Sequence, residues 1–227
     1  MKLSVLIPAY NEEKTISSLI EKVKSINISK EIIIVDDGST DNTRHLLAEY
    51  HNDESVRVIL HEQNHGKGRA IRTAITYASG DLSIIQDADL EYDPNDYFRL
   101  IETVEHNGAA VVYGSRFLNS SNRHSYKRYY YGGRVVTLFA NLLFNLKLTD
   151  EPTCYKLIKT DLLKSLSLKC EGFEFCPELT AKLAKRRHKI YEVPINYYPR
   201  TVQDGKKIKW WDGLEAIWTL IKYRFID

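Results

Sequence analysis

Short, uninterrupted apolar runs alternate with amphipathic stretches through the first half of the chain. Leu3 to Ile7, Glu31 to Val35, Val56 to Leu60, Leu82 to Ile85 and Ala109 to Tyr113 are too short for helices and read as buried strands. Between them the apolar residues fall at helical spacing. Ile16, Leu19, Ile20 and Val23 share one face, with Asn11 as a candidate cap. Further helices run through Leu46 and Leu47, through Ala70, Ile71, Ala74 and Tyr77, and from Tyr97 to Val104. Repeated strand-then-helix units predict an α/β, Rossmann-like fold, a mostly parallel sheet with helices on both faces.

The second half has a different texture. Val135 to Leu148 is apolar except for Thr137, Asn141, Asn145 and Lys147, a helix that either docks on the sheet or lies at a membrane surface. Ile190 to Tyr197 predicts a strand that turns at Pro199 into a polar loop, Arg200-Thr-Val-Gln-Asp-Gly-Lys-Lys207. Beyond it Trp210, Trp211, Leu214, Ile217, Trp218 and Ile221 share a helical face ringed by lysines. Such a face suits a core lid or an interfacial anchor.

Composition narrows the classes. A chain of 227 residues, 43% hydrophobic, is long enough for one sizeable core, and it is read as one domain over 1–227. A net charge of +2 argues against a dedicated nucleic-acid binder. Cys154, Cys170 and Cys176 lack metal-binding spacing and fit reduced packing residues in a cytoplasmic protein. No secretory leader is expected, because Leu3 to Ile7 is short and ends at Pro8. No run reaches the roughly 18 apolar residues of a membrane span. A membrane partner would be met by docking at the inner face.

The polar clusters lie where the predicted strands end: Tyr10 to Glu12, Asp36-Asp37, Asp87-Ala-Asp89 and Ser115-Arg116. Ligands of such sheets bind beyond the carboxyl ends of the strands. Asp87 and Asp89, one residue apart on an extended segment, point the same way and would repel unless a cation joined them. Mg²⁺ or Mn²⁺ commonly takes one or two carboxylates plus phosphate oxygens. Lys67 and Arg69 stand in a glycine-containing loop before a helix, where backbone N–H groups suit phosphate.

Val5-Leu-Ile-Pro-Ala-Tyr-Asn-Glu-Glu13, Ile34-Val-Asp-Asp-Gly-Ser-Thr-Asp41, Asn64-His-Gly-Lys-Gly68, Gly80-Asp81 and Asp87-Ala-Asp89 occur in this order. Together they resemble the family 2 glycosyltransferases with the GT-A fold. Gly114-Ser-Arg116, Phe139-Ala-Asn141, Thr149-Asp150, Gly172-Phe-Glu-Phe175, Glu192-Val-Pro-Ile195, and Arg200 with Lys206 are similar to the polyprenyl-phosphate sugar synthases of the dolichol-phosphate mannosyltransferase type. The resemblance implies a nucleotide-sugar half at 1–116 and an acceptor half at 117–227. It implies that Pro8, Tyr10, Glu12, Val35 and Asp37 hold the nucleoside of a GDP- or UDP-sugar. Lys67, Asp87, Ala88 and Asp89 would then lie at the diphosphate and Asp87 and Asp89 at the metal, with Glu91, where some relatives place a glutamine, either a third metal ligand or a surface residue. Asp89, Arg116, Arg200 and Lys206 would act in catalysis. Leu138 stands where these synthases often carry an arginine, with Arg134 one turn earlier.

The expected activity is a metal-dependent transfer of sugar, inverting as in the family, to a polyprenyl phosphate. The alternative acceptor is a sugar hydroxyl of a cell-surface glycan, which would call for a carboxylate base, and Asp150 or Glu178 is available. A sugar-nucleotide pyrophosphorylase would instead show a glycine-rich, arginine-containing loop after the first strand. A non-catalytic scaffold would have no need to keep Asp87, Asp89, Arg116, Arg200 and Lys206 together.

Overall fold

The structure is a computed structural model that describes residues 1–122, 127–200 and 210–226. Its first half alternates as the apolar pattern requires: β1 (Leu3–Ala9), α1 (Ile16–Ser25), β2 (Lys30–Asp36), α2 (Thr43–Ala48), β3 (Val56–Leu60), α3 (Lys67–Tyr77), β4 (Leu82–Ile85), α4 (Tyr97–Asn107) and β5 (Val111–Ser115). There follow α5 (Lys127–Phe144), β6 (Lys156–Lys159), α6 (Thr160–Ser165), α7 (Phe175–Lys185), β7 (Ile190–Pro194) and α8 (Trp210–Phe225).

Among the described residues seven strands form one sheet in the order β3-β2-β1-β4-β6-β5-β7. Strands β3, β2, β1 and β4 are mutually parallel, as are β5 and β7. Only β6, between β4 and β5, runs antiparallel to its neighbours. The central strands carry helices on both faces, which is why Leu82 to Ile85 and most of β1 are buried without alternation. One apolar cluster extends from Leu3 to Tyr197 and so crosses the 116/117 boundary.

Several elements depart from the sequence pattern. Strand β6 was not legible because Lys156 and Lys159 bracket two apolar residues. Lys156 is nevertheless fully buried, donating to the Glu151 carbonyl at 2.5 Å and lying 3.7 Å from the Tyr113 ring centroid. Asn11 is not a helix cap. It sits at φ 50°, and its Oδ1 accepts from Thr40 N at 2.8 Å, tying the β1 loop to the β2 loop. Helix α5 starts earlier than expected and ends where Asn145 adopts φ 53°. Strand β7 stops at Pro194, and Tyr197 instead makes an isolated antiparallel bridge with Tyr92. In α8 Thr219, Leu220 and Tyr223 are buried and Ile217 packs beside them, whereas Leu214 and Trp218 are exposed.

Helices α5 and α8 share a small core of Val136, Ala140 and Leu220. Among the described residues no helix is long and apolar enough to cross a membrane.

The start of α3 is pressed against the 170–172 backbone. A Cβ on Gly68 would stand 2.7 Å from the Cys170 carbonyl oxygen and 2.9 Å from that of Gly172. Gly68→Ala should therefore destabilise the protein by about 1–3 kcal/mol, the usual cost of overpacking. Gly132, inside α5, has nothing within 4 Å of a Cβ. Gly132→Ala should be stabilising by about 0.5–1 kcal/mol. Denaturant unfolding of the two variants checks both signs.

Candidate active site

At the end of β2 two adjacent carboxylates do different work. Asp36 is wholly buried, and its Oδ2 accepts from Arg44 Nε at 2.7 Å and from Ser39 N at 3.2 Å, closing the turn. Asp37 faces the loop after β3. Its carboxylate accepts from Gly66 N at 2.7 Å, from His65 N at 3.1 Å and from His61 Nδ1 at 2.7 Å. Pro8 and Val35 are partners in the β1–β2 ladder. Val35 has no exposed surface, side chain or backbone, while Tyr10 is half-buried.

The glycine loop does not form the phosphate cradle suggested by its sequence. Gly66 N is used by Asp37, and the second and third N–H groups of α3 are taken by carbonyls: Gly68 N donates to Gly172 at 3.2 Å and Arg69 N to Glu171 at 3.0 Å. Glycine is required here for close approach of two backbones. The Arg69 side chain is exposed. Lys67 does reach the centre, with Nζ 2.5 Å from Asp87 Oδ1.

Asp89 meets a cation from the far end of the chain. Arg200 Nη2 donates to Asp89 Oδ2 at 2.8 Å, and Nη1 to Glu12 Oε2 at 3.0 Å. Burial pushes the Asp87 carboxyl up, but the Lys67 charge outweighs it, so Asp87 is held below the usual range. Burial, and then the charge of Asp87, push Asp89 up against the pull of Arg200. Ala88 is buried between them, its carbonyl accepting from Thr15 Oγ1 at 3.0 Å.

Glu91 does not complete a metal triad. Its carboxylate accepts from Arg200 N at 2.6 Å and from Tyr197 OH at 3.1 Å, and its carbonyl from Tyr198 N at 2.8 Å. Glu91 is thus the fastening of a strap, residues 196–200, that carries Arg200 over the strand ends. Asp96 holds the other end, accepting from Asn196 N at 2.7 Å.

Arg116 stands to one side, 5.3 Å from the Tyr197 ring centroid. Asp150 grips it with a fork, Nε to Oδ2 and Nη2 to Oδ1, both at 2.7 Å. The Glu192 carboxylate in turn takes the N–H groups of Thr149 and Asp150 at 2.7 and 3.0 Å. Glu178, the other candidate base, is equally engaged. It has no exposed surface, lies 2.8 Å from Lys182 Nζ, and accepts from Lys169 N and Cys170 N.

Of the residues singled out from sequence, Glu12, Lys67, Asp87, Asp89, Glu91 and Arg200 meet in one cluster, with Arg116 adjoining it through Tyr197. Lys206 lies outside the described residues. His61, Tyr197 and Thr15 had no motif to mark them, although His61 directly follows an apolar strand. Among the described residues no three His, Cys, Asp or Glu side chains are grouped to hold a metal. Two hard carboxylates still fit Mg²⁺ or Mn²⁺, provided that phosphate and water oxygens complete the shell. Arg200 Nε, a buried donor without an acceptor among the described residues, suits an oxyanion at the same place.

The sequence model described as Glycosyl transferase family 2 matches residues 4–167. The dolichol-phosphate mannosyltransferase of Pyrococcus furiosus is 27% identical over 211 residues, covering 91% of this chain and 59% of the relative. The undecaprenyl-phosphate 4-deoxy-4-formamido-L-arabinose transferase of Proteus mirabilis is 41% identical over 212 residues, covering 90% of this chain and 62% of the relative. The chain thus spans about three fifths of the length of each of these relatives. Glucosyl-3-phosphoglycerate synthase from Mycobacterium tuberculosis, solved with Mn²⁺, uridine diphosphate and phosphoglyceric acid, superposes with a TM-score of 0.74 at 22% identity. That alignment covers 100% of this chain and 79% of that one. The fold is the GT-A, Rossmann-like α/β arrangement.

Burial lifts the Asp96 carboxyl to about 6, against the pull of the Asn196 N–H and Arg99. The native state therefore holds this proton more tightly than the unfolded chain, where an aspartate titrates near ~3.9. Asp96 favours folding when protonated, and that contribution is lost as pH rises from about 4 through about 6. Asp96→Asn should flatten the stability profile in that window, as read by urea midpoints at successive pH values.

Proposed function

The chain belongs to glycosyl transferase family 2, and from that membership we propose that it moves a sugar from a nucleoside diphosphate to a polyprenyl phosphate at a membrane surface. The observation that carries the choice of acceptor is the commitment of Asp150 and Glu178 to buried ion pairs. A sugar hydroxyl must lose a proton as it attacks, and either carboxylate would have to leave its cation to take it. A phosphate monoester is already an anion near neutral pH. Its oxygen forms the new bond to the anomeric carbon from the face opposite the leaving diphosphate, inverting that centre, and no base is needed.

Charge on the leaving group is then the main electrostatic burden. A divalent cation at Asp87 and Asp89 would supply Lewis-acid stabilisation of the diphosphate. Lys67, beside Asp87, and Arg200, through its unpaired Nε, add positive charge from the protein, and Lys206 would add more. Pro8, Tyr10 and Glu12 would flank the nucleoside at the end of β1. Arg116 spends Nε and Nη2 on Asp150, leaving Nη1 for the acceptor phosphate. Arg134 is a second cation nearby, its guanidinium 5.3 Å from the ring centroid of Phe117, on which Arg116 also lies at 5.9 Å.

The surface next to these arginines fits a lipid. Tyr131, Val135, Leu138 and Leu142 of α5 are exposed on one helical stripe, and Trp211, Leu214 and Trp218 of α8 on another. Exposed apolar area of this extent marks a contact surface, and here it would rest on the bilayer that carries the acceptor.

Asp89→Ala should lower transfer by about 10²–10³, the usual loss for one charge-stabilising group, and a chelator should abolish it. The assay follows labelled sugar into an organic phase containing polyprenyl phosphate. Activity unchanged in Asp89→Ala would remove Asp89 from the mechanism. Soluble glycans accepting as well as the lipid would return the hydroxyl acceptor to favour.

A further inference from the structure

We propose that the bilayer-facing surface selects anionic lipid headgroups, through a basic patch made by the turn between α7 and β7 and the last turn of α8. The inference rests on the bilayer reading above and adds the charge of the surface that is met. Lys185-Arg-Arg-His-Lys189 is a run of five basic residues that joins α7 to β7. Lys185 Nζ donates to the Ile226 carbonyl at 2.8 Å, and Lys182 Nζ lies 5.0 Å from the Tyr223 ring centroid. The turn is thereby fixed beside the end of α8, where Lys222 and Arg224 are exposed.

Helix α8 is apolar along its outer side. Thr219, Leu220 and Tyr223 are buried against the protein. Trp211, Leu214, Trp218 and Phe225 form the opposite stripe, and all four are exposed. At about 3.6 residues per turn, Lys222 and Arg224 fall on either flank of that stripe. A helix of this kind lies flat in an interface, with its flanking cations at the level of the headgroups. Its acidic residues, Asp212 and Glu215, stand near the other end. Positive charge is therefore concentrated where α8 adjoins residues 185–189.

Arg187 stands where the backbone favours glycine. It sits at φ 59°, and the N–H groups of Arg187 and His188 close α7 on the carbonyls of Ala184 and Leu183 at 2.9 and 3.1 Å. This left-handed position after a helix is usually glycine, which has no Cβ to crowd the backbone. The Arg187 side chain is exposed and meets no carboxylate among the described residues, so no contact there offsets the strain. Lys189, Lys222 and Arg224 also lack a carboxylate partner among the described residues. Lys189 Nζ instead lies 4.2 Å from the Tyr191 ring centroid. Arg186, by contrast, is spent on Ser165, with Nη1 2.7 Å from Oγ and Nη2 2.8 Å from the carbonyl oxygen. Each uncommitted cation brought to an anionic bilayer strengthens binding by about fivefold.

The test is cosedimentation of the intact protein with vesicles of phosphatidylcholine, alone or mixed with phosphatidylglycerol. The mixed vesicles should bind at least about 10²-fold more tightly, and that margin should shrink as salt is raised. Arg187→Gly should raise the thermal midpoint yet weaken binding to the mixed vesicles by about fivefold, whereas Arg187→Lys should bind like the wild type. Lys189→Gln combined with Arg224→Gln should leave the midpoint unchanged and weaken the same binding by about 25-fold. Equal binding to the two kinds of vesicle would overturn the inference while leaving the bilayer reading standing. Undiminished binding in Arg187→Gly or in the double variant would take the basic turn out of the contact and overturn it too. Binding to neither kind of vesicle would instead refute the bilayer reading, and the inference with it.

Discussion

Carboxylates gathered at the ends of buried strands cannot remain there uncompensated, and the rest of this structure follows from how they are balanced. Each is met by a cation or N–H group brought from elsewhere in the chain. Arg44 reaches Asp36, Lys67 reaches Asp87, and Arg200 bridges Glu12 and Asp89. The fork between Arg116 and Asp150 extends the same device to the end of β5. Buried pairs of this kind contribute little net stability, since desolvation offsets much of the attraction. What they supply is position: removing one partner strands the other in a poorly solvated place. The site is therefore held in register by the same charges that are proposed to act on substrate.

The parallel half of the fold was legible because its strands are apolar on both faces and punctuated by glycine, proline and aspartate. Strand β6 was hidden because lysine is scored as polar, and nothing local announces that Lys156 will be buried against Tyr113 and Glu151. Which part of the α8 stripe docks on protein stayed open in the sequence for a related reason. Trp218 and Leu214 fit a helical stripe, but periodicity cannot say which part of a wide stripe meets protein and which part is left outside.

In the site, the acidic residues could be read from their places at strand ends, whereas their partners could not. Glu91 and Arg200, and Glu12 and Arg200, are joined across 109 and 188 positions of sequence. The resemblance set Glu91 beside Asp87 and Asp89 as a possible third ligand, yet its carboxylate is drawn to the strap. Gly66-Lys-Gly68 looked like a phosphate loop, yet its glycines are explained by the neighbouring 170–172 backbone. In both cases a local pattern admitted two uses, and a distant segment decided between them.

The antiparallel strand β6 has a consequence for how the chain is made. Strand β5 has only β6 and β7 as neighbours, so residues 111–115 find no partner until residues 156–159 and 190–194 exist. During synthesis the amino-terminal strands can pair as they emerge, while β5 waits with its apolar side chains uncovered. Such an interval is when a nascent chain is most open to aggregation or to a chaperone. The 116/117 boundary that the resemblance implies is therefore not a folding boundary: a fragment ending at residue 116 would release a sheet with an unfinished edge.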